Sequence, residues 1–202
     1  EWTPREIAQA FVDVFKRDPR KGYARGFYAF LSSVNNGDEF LAQIRPDSER
    51  NGAAMRAPVI GLYKDINDVV RRSEMQAKLT HNTKVGGDSA IAASLLCHFF
   101  AHELGPREEA PDFLMTHVSG YDWKTPWEGE VPIHGISTVR AALSAIVKTD
   151  SLADLLKRCV SYTGDVDSVA TIALASASGS VEFARDIPEN LWQGIERSRF
   201  GI

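Results

Sequence analysis

No run of about 18 apolar residues occurs in this chain, the length a helix needs to cross a bilayer, so no membrane-spanning helix is expected. No secretory signal is visible either, and the cytoplasm is the default compartment. Basic clusters are missing too. With 23 Lys and Arg against 27 Asp and Glu, the net charge is −4 and the pI about 5.8, which argues against a nucleic-acid or membrane surface. Cysteine is scarce: Cys97 and Cys159 both fall in helical patterns and read as reduced thiols rather than a disulfide. No stretch alternates apolar and polar residues with period two, so no sheet is expected. No serine or cysteine has a base beside it in the sequence, which weighs against nucleophilic catalysis by either. No repeat, low-complexity run or linker divides the chain. Residues 1–202 are expected to form one soluble domain with a sizeable core.

Helical periodicity fills the chain instead, in some nine or ten segments. Thr3, Pro4 and Glu6 read as N-cap, N1 and N3 of a first helix, with Ile7, Phe11, Val14 and Phe15 on one face. Tyr23, Phe27, Phe30, Leu31 and Val34 mark a second, and Phe40, Leu41 and Ile44 a short third. A small-residue helix is expected over 53–62, with Pro58 in its first turn or kinking it. Asp65 or Asn67 starts the next, with Val69, Val70, Ser73 and Ala77 inward. Gly86, Gly87 and Asp88 open a long helix over 89–104, apolar nearly all round and therefore central. Residues 109–117 read as helix, and 121–134, with two prolines and two tryptophans, as loop. Further helices are expected over 138–148, from Asp150 or Ser151 to about Tyr162 with Leu152, Leu155, Leu156 and Val160 inward, and after Asp167. A last helix starts at Pro188, with Leu191, Trp192 and Ile195 inward. The fold class is therefore all-α.

Chemistry concentrates in 161–170, where Asp165, Asp167 and Ser168 stand between Gly164 and an alanine-rich apolar run. A loop that turns into a helix can aim such oxygens at one point, and a hard cation such as magnesium takes oxygen ligands, few of them from protein. The plain alternative is helix capping, for which Asp and Ser are preferred residues. Asn51, Gly52 and Ala53 form a glycine-containing loop of the kind that admits an anion. His81 follows Thr80 at a helix end and reads, by itself, as a capping or surface residue. His98 and His102 stand four apart, but with no third ligand nearby they read as one helix face.

Residues 163–170 resemble the G-G-D-x-D-[ST]-x-A element of the ADP-ribosylglycohydrolases, which include the dinitrogenase reductase-activating glycohydrolases. Residues 50–56 are similar to that family's G-N-G-A-x-M-R loop, 79–81 to its L-T-H, and 187–200 to its closing segment, all in the family's order. The resemblance implies an all-α multi-helix bundle and a magnesium-dependent hydrolase, with two ions in the complete site. It implies removal of ADP-ribose from a modified protein side chain or a small conjugate. Asp165, Asp167 and Ser168 would hold metal, while Asn51, Gly52, Ala53 and His81 would shape the ADP-ribose pocket; Met55 and Arg56 would pack or pair behind the loop. The family's acidic residue and T-D-D-T element have no match here. The only adjacent acidic pairs are Asp38-Glu39 and Glu108-Glu109, so the catalytic residue is unassigned. The resemblance thus implies a domain that lacks its first part. A non-catalytic relative keeping the fold, as the lens crystallins of the family do, is the alternative. Thr163 for the family's first glycine and Ser168 where Thr is commoner are milder departures.

Overall fold

The first helix is set by its cap. In the computed structural model, which describes residues 2–20 and 22–193, the Thr3 side chain accepts from the Glu6 N–H while the Glu6 carboxylate accepts from the Thr3 N–H. Helix α1 (Pro4–Arg17) follows from Pro4 at its start. Then come α2 (Arg25–Ser33), α3 (Gly37–Gln43), α4 (Gly52–Met55), α5 (Ile66–Lys78), α6 (Lys84–Ala101), α7 (Ala110–His117), α8 (Gly135–Val147), α9 (Leu152–Ser161), α10 (Val166–Ala177) and α11 (Glu189–Gln193). Two 3-10 turns, Pro58–Leu62 and Arg107–Glu109, complete the described helical structure. No strand occurs among the described residues, and the protein is all-α.

Helix α6 is the axis of the larger core. Leu95, Leu96, Phe99 and Phe100 are all but inaccessible. Burying each contributes about 1.5–3 kcal/mol before the entropy of ordering is subtracted. Helices α4, α5, α8 and α10 and the first 3-10 turn all pack on it. A second cluster joins Ala8, Val12 and Phe15 of α1 to Leu31, Val34, Phe40 and Leu79. Aromatic rings dominate its rim: Phe11 stacks on Phe40, with centroids 5.7 Å apart, and Phe30 meets Phe40 edge-on at 5.0 Å.

Several expectations move. Helix α6 starts at Lys84 rather than near Gly86, because the Thr83 hydroxyl caps it by accepting from the Gly86 N–H at 3.0 Å. Pro58 does not continue a helix; it separates the single turn of α4 from the 3-10 turn. Helix α10, despite its alanine-rich apolar run, is buried on one side only. Val169, Ile172, Ala173, Ser176 and Ala177 face the core, whereas Asp167, Thr171 and Ala175 form an exposed stripe at helical spacing. Val14 and Val160 lie on the outer faces of α1 and α9, and the buried neighbours there are Val12 and Cys159. His134, not a residue nearer 138, caps α8. Leu191 is half exposed, and Ile195 lies outside the described residues.

Both cysteines are unpaired and buried, and burial pushes their thiols up to about 11 for Cys97 and about 12 for Cys159. No described helix is long and apolar enough to cross a membrane.

The turn from His81 into α6 depends on close approach. A Cβ added at Gly86 would lie 2.5 Å from the His81 carbonyl oxygen and 2.6 Å from its Cβ, whereas one added at Gly87 meets nothing within 4 Å. Gly87→Ala is expected to stabilise by about 0.5–1 kcal/mol through helix propensity. Gly86→Ala, in the same helix, should destabilise by roughly 2 kcal/mol because backbone must shift. Thermal melting followed by circular dichroism separates them; similar shifts for the two variants would contradict this packing.

Candidate functional site

The loop before α10 is built by two residues in the left-handed region, Thr163 at φ 64° and Gly164 at φ 77°. Only there can Val131 pair with both sides of the turn: its N–H donates to Thr163 O at 3.1 Å, and its carbonyl accepts from the Asp165 N–H at 3.0 Å. Asp165 thereby becomes the N-cap residue of α10, yet its side chain makes no capping hydrogen bond. Its Oδ2 accepts from the Asn51 amide, 114 residues away in sequence. The other proton of that amide goes to Thr138 Oγ1 of α8 at 2.9 Å. Thr138 donates its own proton to His134 O at 3.0 Å, so it can only accept from Asn51. Asn51 therefore joins α4, α8 and α10 at one point, buried, with both amide protons spent.

Ser168 lies one turn further along α10. Its buried hydroxyl donates to Met55 Sδ at 3.6 Å, which aims the proton at a weak acceptor and leaves the oxygen lone pairs unused. Asp167 is exposed, with Oδ1 accepting from the Ser168 N–H at 2.9 Å. Asp165 and Ser168 thus face α4, while Asp167 stands on the outer stripe of α10. Each carboxylate keeps an oxygen, Oδ1 of Asp165 and Oδ2 of Asp167, that accepts from no donor among the described residues. The donor set is all oxygen and suits a hard divalent ion. Among the described residues no three His, Cys, Asp or Glu side chains are close enough to share one.

His81 reaches the same region from the end of α5. An antiparallel bridge holds it against Asp47, and Asn82 donates to Pro46 O at 2.5 Å. Its ring edge lies over Gly52. A Cβ there would come within 3.3 Å of Cε1 and 3.5 Å of Nε2. Nδ1 sits 2.7 Å from Thr80 Oγ1. Behind them Arg56 donates to Thr80 Oγ1 at 2.7 Å, to Gly52 O and Gln76 O at 3.1 Å each, and to Gln76 Oε1 at 2.5 Å. Its guanidinium also covers the Phe11 ring at 5.0 Å. No carboxylate among the described residues pairs with it, and burial lowers Arg56 to about 10, still charged at neutral pH. Burial, with the Arg56 charge second, pushes His81 down to about 4.

The loop 51–53, His81 and the start of α10 therefore converge on one region. Ala53 enters differently from the others: it is fully buried, and its carbonyl accepts from Gln76 Nε2 at 3.1 Å. Helix α4 is one turn long, so it offers a small fraction of a macrodipole rather than the helix terminus the loop suggests. Arg56 pairs behind the loop, whereas Met55 is exposed and meets Ser168 through its sulfur.

The sequence pattern of the family described as ADP-ribosylglycohydrolase matches residues 1–200. This chain belongs to the ADP-ribosylglycohydrolase family. Over 126 residues it is 30% identical to the ADP-ribosylhydrolase ARH3 of Gallus gallus, covering 58% of this chain and 34% of that protein. Against the ADP-ribosylhydrolase ARH3 of Homo sapiens the identity is 33% over 121 residues, covering 56% and 33%. The chain spans about a third of the length of the curated relatives it matches. A solved ADP-ribosylglycohydrolase-related protein complex superposes with a TM-score of 0.66 at 17% identity, covering 88% of this chain and 63% of that one, which shows the shared fold.

Thr138, Thr80 and Gln76 hydrogen-bond to the residues singled out in the sequence, and none of the three was given a role there. Thr80 could have been found, since it adjoins His81; Thr138 and Gln76 carry no local signal, being single polar residues on helical faces. A shallow open depression of about 400 Å³, lined by Ile44, Arg45, Pro46, Asp47, Asn82 and Thr83, adjoins the His81 turn.

The depressed His81 gives a pH dependence with a definite sign. Above its ordinary value of 6.5 neither state is protonated and the group has no effect. As pH falls from 6.5 towards 4 the unfolded chain binds a proton that the native one refuses, so stability drops; below about 4 the loss levels off. The full loss is on the order of 3 kcal/mol. His81→Gln should flatten this part of the stability–pH curve in urea titrations, and an unchanged curve would count against a buried neutral His81.

Proposed function

We propose that this chain supplies the ligand pocket and part of the metal site of a hydrolase that removes ADP-ribose from a modified protein side chain or a small ADP-ribose conjugate. The observation that carries this reading is Asp165. It stands where a helix cap belongs and does not cap; Asn51, from the loop similar to the family's G-N-G-A-x-M-R, clasps one oxygen and leaves the other open. Asp165, Asp167 and Ser168 would hold magnesium. Bound there, the ion would supply a positive centre for orienting the ribose hydroxyls and lowering the pKa of a water. Gly52 and His81 would line the ADP-ribose pocket, Ala53 would contribute backbone, and the Asn51 side chain would offer a ligand only its carbonyl oxygen. The cytoplasm suits the two unpaired thiols.

Two carboxylates and a hydroxyl are few ligands for an ion that dehydrates reluctantly. Calorimetric titration of magnesium into the 202-residue chain is expected to show weak binding, abolished by Asp165→Ala. ADP-ribose release from an ADP-ribosylated peptide is expected to be undetectable with this chain alone. Tight uptake of two ions, or turnover by this chain, would overturn the expectation. Asp167→Ala should weaken ion binding further. If it lowers only the melting temperature, Asp167 serves the helix start through its charge, and a non-catalytic relative becomes the better reading.

Asn51→Ala tests the clasp itself. It removes a buried donor from Asp165 and from Thr138, and is expected to cost about 1–3 kcal/mol in chemical denaturation. A loss below about 0.5 kcal/mol would mean that water replaces the amide without penalty.

A further inference from the structure

We infer that Thr80 and Arg56 are positioning residues that lock His81 as its Nε2–H tautomer, making it a fixed hydrogen-bond donor to an anionic, phosphate-type oxygen beside Gly52. The inference rests on the reading of His81 as a pocket residue and goes on to state which atom acts and why.

Counting protons at Thr80 fixes the direction of each bond. Arg56 can only donate, so the 2.7 Å contact between its Nη2 and Thr80 Oγ1 uses a lone pair of that hydroxyl. The hydroxyl has one proton to place. Thr80 is buried, and His81 Nδ1, at 2.7 Å, is its one hydrogen-bond acceptor among the described residues. If Nδ1 carried a hydrogen, the threonine proton would be stranded in a buried site, at a cost of about 1–3 kcal/mol. Nδ1 is therefore the acceptor. The ring proton of the neutral imidazole must then lie on Nε2. An imidazolium would strand the same proton and set a second cation beside Arg56, which agrees with the depressed protonation of His81.

Nε2 has no hydrogen-bond partner among the described residues. Neither is it among the buried polar atoms without one, which among the described residues are Arg72 Nε, His102 Nε2 and Arg140 Nε. It lies along the bare side of Gly52, where a Cβ would come within 3.5 Å of it. The charges around the ring are uneven. Arg56 stands behind it, paired with no carboxylate among the described residues. Asp47, bridged to His81 through backbone, is exposed, and Lys84 and Asp88 of α6 are paired with each other at 2.5 Å. A fixed N–H, an unneutralised guanidinium behind it and a glycine surface in front favour an acceptor that carries negative charge.

Nitrogen-15 histidine spectra of the protein at pH 7, with His81 assigned through the signal lost in His81→Gln, read the tautomer directly. The expected result is an unprotonated Nδ1 and a protonated Nε2 in the wild type and in Thr80→Ser, and a mixture of tautomers in Thr80→Val. A protonated Nδ1 in the wild type overturns the proposal, as does a Thr80→Val spectrum identical to the wild type. The wild-type spectrum decides the point even if Thr80→Val fails to fold. Titration with inorganic diphosphate, then with ADP-ribose, should shift the His81 Nε2 resonance; no shift with either overturns its role as an anion donor. The tautomer is measured without substrate. A correct tautomer combined with failure of the hydrolase to act on any ADP-ribose conjugate would therefore strike the proposed function and leave the tautomer lock standing.

Discussion

The Arg56 guanidinium, half-buried and with no carboxylate partner among the described residues, is the group around which the other parts of the structure are arranged. It donates to the Gly52 carbonyl of α4, to the Gln76 carbonyl and side chain of α5, and to the Thr80 hydroxyl, and its flat face covers Phe11 of α1. Each contact fixes one element against the next. A charge removed from water is costly unless its donors are filled, and here neutral oxygens and a ring fill them. A lysine could not do this, since an ammonium lacks the planar fork that reaches several acceptors at once and the face that stacks on phenylalanine. The aromatic cluster of α1–α3 is thereby tied to the loop that carries Asn51 and Gly52. A positive charge is left under that loop with no carboxylate among the described residues paired to it.

At the other side of the site the determining feature is a turn rather than a charge. Thr163 and Gly164, both with positive φ, let Val131 pair with the chain on either side of the turn. This pairing swings Asp165 away from the helix it would otherwise cap. The first turn of α10 then divides. Asp165 and Ser168 look inward at Asn51 and Met55, and Asp167 looks outward with Thr171. Capping and ligation, indistinguishable as a pattern of letters, are distinguished by the partner that each oxygen finds.

Much of the fold is legible in the sequence. The Thr3–Glu6 capping box, the Ser151 and Asp65 caps and the apolar run of α6 all read correctly, because caps and periodicity act within one or two turns of chain. Where reading fails, the competing signal is also local but weaker. Thr83 captures the start of α6 ahead of the more conspicuous Gly86 and Gly87. Val14 and Val160 are apolar enough for a core, yet rotation of α1 and α9 buries Val12 and Cys159 instead.

The order of the motifs at 50–56, 79–81 and 163–170 marks the family without reference to geometry, because such loops need particular residues for backbone reasons: small ones for close approach, a glycine for positive φ. The sequence by itself thus determined an all-α chain, its family and the stretches that matter. Which atoms meet was decided by tertiary structure alone. That Asn51 spends both amide protons on Thr138 and Asp165, that Ala53 turns into the core, and that Thr80 hands its proton to His81 all depend on how α4, α5, α8 and α10 settle around α6. Hydrogen bonds between residues 87 and 114 positions apart leave no periodic trace in a sequence. Their geometry is set by the packing of buried side chains several helices away, and only the folded core fixes that.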